Sequence, residues 1–156
     1  MAIDKALYEL PQGLAGIPEG PPVEIEIEDP ESVKINIDGL EIHEPYIDKF
    51  NLRSIYNKVM VGNILAFDVS PYDYIILGDV LEHIPKYEAI NLVAKINSAG
   101  KKCLIAVPYL YEQGEYDGNV HEIHHQPDLT NEIFLERYPS MHLLYKDAGY
   151  GYYINY

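Results

Sequence analysis

The stretch Tyr72-Asp73-Tyr74-Ile75-Ile76-Leu77-Gly78-Asp79-Val80-Leu81-Glu82-His83-Ile84 decides how this chain is read. Residues 74–77 form a continuous apolar run, as expected of a central parallel strand buried on both faces. In open α/β sheets, ligands bind beyond the carboxyl ends of the strands. Gly78, Asp79, Glu82 and His83 follow the run directly, so they stand where a ligand would be met.

Downstream, residues 87–97 carry a helical pattern with Ala89, Ile90, Val93, Ala94 and Ile96 apolar, and Gly100 ends it. Cys103-Leu104-Ile105-Ala106-Val107 is another buried strand. A loop rich in His, Gly and Tyr covers 108–127, the trio Thr130-Asn131-Glu132 begins a short helix over 130–138, and 142–146 and 150–155 read as closing strands. Upstream, Leu40-Glu41-Ile42 is a short strand end, Pro45 opens a helix periodic over 46–56, and Lys58-Val59-Met60-Val61 is a second short strand. This βαβαβ order predicts a Rossmann-like α/β fold: a mostly parallel sheet, flanking helices and an antiparallel C-terminal strand pair.

Residues 1–36 read differently. The first 22 mix Gly and Pro with few aliphatics, which predicts a flexible arm. Val23-Glu24-Ile25-Glu26-Ile27-Glu28 then alternates strictly between apolar and acidic, and Val33-Lys34-Ile35-Asn36-Ile37 alternates again after a turn at 29–32. A period of two marks strands with one dry face, so an acidic β-hairpin is expected. The division is an arm with hairpin over 1–36 and an α/β domain over 37–156.

Composition removes several function classes. The 11 basic and 25 acidic side chains give a formal charge of −14 over 156 residues, a surface that repels phosphate backbones and disfavours nucleic acid. No apolar stretch approaches the roughly 18 residues of a membrane span, and no secretory leader is visible. Cys103 is the one cysteine, so an intrachain disulfide and a thiolate metal cluster are excluded, which fits a reducing cytoplasm. No Gly-x-Ser-x-Gly turn or P-loop points to a hydrolase or a nucleotide triphosphatase.

The run 72–84 resembles the fourth-strand motif of class I S-adenosylmethionine-dependent methyltransferases, in which an aspartate and two apolar residues precede glutamate-histidine. Glu41, in Gly39-Leu40-Glu41-Ile42, matches the carboxylate that in this family grips the ribose hydroxyls. A vicinal diol donates two hydrogen bonds and one carboxylate accepts both. Asn63 stands where the family commonly has an acid facing the adenine amino group. The stretch 118–130, with His121, His124 and His125, resembles the His-containing loop after the fifth strand, before the helix that lines the acceptor pocket. The resemblance thus implies S-adenosyl-L-methionine as cofactor, with Glu41, Asn63, Gly78, Asp79 and Glu82 binding it and Asp79, His83 and His124 catalytic.

Two patterns have a second reading. Asp79, Glu82 and His83 also suit the N-terminus of the following helix, where acids are stabilising. His121, His124 and His125 have a spacing that holds a metal on a helix, but Gly118 and Pro127 mark a loop, and no metal is expected.

The chain departs from the family at one place. The family puts a strand and glycine-rich loop about 20 residues before the ribose acid, where backbone amides meet the cofactor. Here Gly13, Gly16 and Gly20 lie among prolines and precede the acidic hairpin instead. The N-terminal segment resembles acidic leader segments of tailed-phage virion proteins. Two functions are therefore expected: a phage-encoded methyltransferase-like protein of the host cytoplasm, acting on an unknown acceptor, and a non-catalytic virion-associated or interaction protein reusing the scaffold. A phage partner or self-association through the N-terminal segment would serve the second.

Overall fold

The computed structural model describes residues 37–155, so the arm and the hairpin expected over 1–36 lie outside the described residues. In chain order the elements are β1 (Gly39–Glu41), α1 (Pro45–Lys49), β2 (Val59–Val61), β3 (Tyr74–Gly78), α2 (Lys86–Ser98), β4 (Lys102–Pro108), α3 (Asn131–Arg137), β5 (His142–Lys146) and β6 (Tyr150–Ile154). Short 3₁₀ turns cover Leu52–Ser54, Leu81–His83 and Val120–Glu122. The α/β architecture and the closing antiparallel strands agree with the sequence pattern. No helix among the described residues is long and apolar enough to cross a membrane.

The strands form two ladders. β1 and β2 pair in parallel, Leu40 opposite Met60. The other four run in the order β3-β4-β6-β5, with β3 and β4 parallel and β6 antiparallel to both of its neighbours. The doubly wound order places strand one between strands two and four. If β1 and β2 here are that fold's second and third strands, and β3 its fourth, the break between the ladders is the position of its first.

One face of the larger sheet carries the core. Ile75, Leu77, Cys103, Ile105, Val107 and Tyr153 pack with Ala89, Leu92, Val93 and Ile96 of α2 and Phe134 of α3. Full burial of such a side chain stabilises by about 1.5–3 kcal/mol. Leu92 is buried where the sequence pattern favoured Ala94, which is exposed. α2 ends as Gly100 predicts: at φ +68° it lets its own N–H reach Asn97 O and that of Lys101 reach Ile96 O. At α3 the Thr130 hydroxyl accepts from Ile133 N at 3.2 Å, so the trio 130–132 does start the helix.

Two expectations are corrected. β3 is not buried on both faces: Ile75 and Leu77 point inward, but Tyr74 and Ile76 are 49% and 53% exposed, because no described element covers that side. The helix expected over 46–56 stops at Lys49, since Asn51 takes a left-handed conformation (φ +50°) and a 3₁₀ turn comes next.

Candidate functional site

β1, β2 and β3 end on the same side, and the residues just past their apolar runs meet there. A cavity of about 330 Å³ is lined by Glu41, Asn63, Asp79, His83, His121 and His125, among others. A neighbouring cavity of about 680 Å³ lies between the two ladders and is lined by Gly39, Glu41, Val59, Gly78, Asp79 and Glu122, among others. The structure therefore brings Glu41, Asn63, Gly78, Asp79 and His83 together around shared space. Glu82 and His124 line neither cavity; both lie close to His83.

Each side chain is fixed by its local backbone. Glu41 ends β1, and its Oε1 accepts from His43 N at 2.7 Å, which steadies the carboxylate. Asn63 makes an Asx-type turn, its Oδ1 accepting from Leu65 N at 2.9 Å and keeping a second lone pair. Asp79 follows β3 at φ +51°, a strained conformation for a residue with a Cβ, and strain of this kind gathers at functional sites. Its N–H donates to Ala106 O at 3.2 Å and its Oδ1 accepts from the Tyr150 hydroxyl. Burial raises the Asp79 carboxyl above its ordinary range, while His83 and His124 pull it back.

The Leu81–His83 turn carries Glu82 inward, to 1% exposure. Burial pushes its carboxyl up to about 8. Burial also lowers the His83 imidazole, helped by neighbouring His124, which favours the neutral ring. Neither residue caps α2, nor does Asp79: the N-cap is Pro85, with no side-chain hydrogen bond.

The long loop after β4 is locked onto this turn. His125 N and Gln126 N both donate to Glu82 O, at 2.8 and 3.1 Å. The Gln126 side chain, 2% exposed, donates to Leu81 O and Ile84 O at 2.8 and 3.0 Å. Its Oε1 accepts from the Tyr138 hydroxyl and from Arg137. The sequence pattern does not single out Gln126 or Tyr150. A glutamine inside a histidine loop and a tyrosine among many carry no local signal, since their roles arise only when distant segments meet.

No protein-family profile matches the chain, and no curated protein does. Solved structures do. PigF with SAH superimposes with a TM-score of 0.55 at 14% identity, covering 78% of this chain and 43% of that one. A provisionally assigned O-methyltransferase of Nostoc punctiforme PCC 73102 gives 0.51 at 16%, covering 78% and 44%. This is the class I methyltransferase fold. PH0226 protein from Pyrococcus horikoshii OT3 shares it, with a TM-score of 0.53 at 12% identity over 80% of this chain and 73% of that one. The chain spans less than half the length of PigF and of the Nostoc protein. Within that fold, the shared cavity at the strand ends is the position where the doubly wound architecture receives its ligand.

Proposed function

We propose that the protein binds S-adenosyl-L-methionine at the carboxyl ends of β1, β2 and β3 and transfers its methyl group to an acceptor. One observation carries the reading: Glu41, Asn63 and Asp79, from three separate strand ends, line one cavity. The donor set fits an adenosine. A carboxylate held at the end of β1 has acceptor capacity for both ribose hydroxyls, and the Asn63 amide offers an acceptor and donors to an adenine edge. PigF, whose structure is one with SAH, shares the fold. Among the described residues no glycine-rich strand and loop precede Glu41, and the ones that would meet the methionine end are Gly78 and Asp79.

When bound, the cofactor supplies an electrophilic sulfonium methyl for in-line displacement. The chain's own part is to orient the acceptor and to take the proton it gives up. Asp79, His83 and His124 are the candidate proton acceptors. His83, whose neutral form burial favours, lines the cavity beside Asp79, which the Tyr150 hydroxyl holds in place. The buried free thiol of Cys103, pushed up to about 12 by burial, suits a reducing cytoplasm.

Isothermal titration with S-adenosylhomocysteine tests this reading. Micromolar binding is expected for the whole chain, with a loss of tenfold or more, about 1.4 kcal/mol, in Glu41→Ala and in Asp79→Ala. Absence of heat up to millimolar ligand would overturn it. A second reading, a non-catalytic interaction scaffold, would use the unpaired edges of β1 and β3 among the described residues. It predicts that silent titration.

A further inference from the structure

Glu82 is the least explained side chain of the site. It is 1% exposed, and neither carboxylate oxygen has a hydrogen-bond partner. His83 Nδ1, also buried, has none either. A carboxyl group taken out of water without a partner is costly, and buried polar atoms left unsatisfied call for an explanation. Around it the side chains converge. One ligand-type atom each from Glu82, His83 and His124 lie within 4.8 Å of one another, with His83 Nε2 4.0 Å from Glu82 Oε1. The two imidazole rings meet edge to face at 4.6 Å.

We propose that Glu82, His83 and His124 form a binding site for one divalent transition-metal ion. Two imidazoles and a carboxylate are the donor set that suits zinc, iron, cobalt or manganese. The supporting shell is present as well. His124 Nδ1 lies 2.8 Å from Tyr111 O, where it can only donate, so the lone pair resides on Nε2. Metal-binding histidines are fixed in this way, the second nitrogen donating to a carbonyl. The backbone on both sides is tied down: His124 N donates to Gln113 O at 2.9 Å, and the next two amides donate to Glu82 O. In a tetrahedral site with bonds of about 2.1 Å the donors stand about 3.4 Å apart. The 4.8 Å spread of the ligand atoms exceeds that separation by about 1.4 Å, the approach that closing on an ion requires.

The ion would satisfy the orphaned carboxylate and leave a coordination position for water or an acceptor oxygen, whose pKa it would lower. His83 and His124 would then be ligands, and Asp79 alone the proton acceptor. This trio differs from the one suggested by sequence spacing. His121 and His125 face the cavity of Glu41 and Asp79 and do not belong to the cluster. The site stands on its own geometry, whether or not the methyl donor binds.

The test is titration of the chelator-treated, dialysed full-length protein with zinc chloride by calorimetry, and with cobalt chloride by visible absorption. One equivalent is expected, with a cobalt spectrum of low coordination number. Affinity should fall about tenfold or more in Glu82→Gln and in His124→Ala and stay unchanged in His121→Ala. His124→Ala is the safer probe, since it leaves buried Glu82 in place. Circular dichroism of each variant separates lost binding from lost fold. No bound equivalent, or binding insensitive to Glu82→Gln and His124→Ala but abolished by His121→Ala, would overturn the site. S-adenosylhomocysteine titrated into the same samples reports separately on the methyl-donor reading.

Discussion

At Gly151 the structure has room for hydrogen and nothing more. A Cβ there would collide with the Tyr109 hydroxyl oxygen and stand 2.7 Å from the Tyr153 ring. These tyrosines share a hydrogen bond of 2.5 Å, and Tyr153 stacks on Phe134 at 3.7 Å in the core. Gly151→Ala must therefore push Tyr109 away or bend β6 out of register with β4. Overpacking of this kind destabilises by about 1–3 kcal/mol. The expected outcome is a lower urea midpoint with an unchanged slope; an unchanged midpoint would mean that Tyr109 swings aside freely. Single residues differ in how far sequence discloses them. Glu41, Asn63 and Asp79 were legible because each ends an apolar run, and a strand end has a fixed place in this architecture. Gly151 was not, because what forbids a side chain there comes from a loop 42 positions earlier in the chain (Tyr109).

Between elements, the decisive joint is the one the loop after β4 makes with the turn before α2. Its hub is Gln126, whose amide group holds Leu81 O, Ile84 O, Tyr138 and Arg137 at once. Replacing it with leucine keeps most of the volume and removes the hydrogen-bond partner of Ile84 O and of the Tyr138 hydroxyl, while Leu81 O keeps Ile84 N. Each such group costs about 1–3 kcal/mol. Gln126→Leu is thus expected to destabilise by about 2 kcal/mol or more and to speed hydrogen exchange at the amides of His125 and Gln126. Exchange as slow as in the parent would show that the backbone bonds to Glu82 O suffice. The elements themselves were largely readable. Apolar periodicity and the signals Gly100 and Thr130 placed β3, α2, β4, α3, β5 and β6 closely. Periodicity failed at 46–56, where Asn51 breaks a pattern that the apolar residues alone continue. It also could not show the docking of the histidine loop, which depends on hydrogen bonds between segments far apart in the chain.

For the molecule as a whole, the described strands leave a break between the two ladders. β1 and β3 each have one unpaired edge among the described residues, and the larger cavity lies between their ladders. The sheet face opposite the core is just as open. Registers place Tyr74 and Ile76 of β3, Tyr145 of β5 and Tyr152 of β6 on that one face, and all four are between 37% and 53% exposed. The run 74–77 misled on this point, because continuous apolarity signals burial on two sides only where the chain supplies a cover for each. Substitution measures the cover directly. Leu77, on the core face at 3% exposure, should lose about 3 kcal/mol on change to alanine. Ile76, its neighbour on the open face, should shift stability by no more than about 0.5 kcal/mol on change to serine, the ordinary cost at an exposed site. A loss at Ile76 close to that at Leu77 would mean that this face is covered in solution. In that case the apolar character of both faces of β3 would be accounted for by a partner of the sheet, and the strand would be the buried central one that its sequence describes.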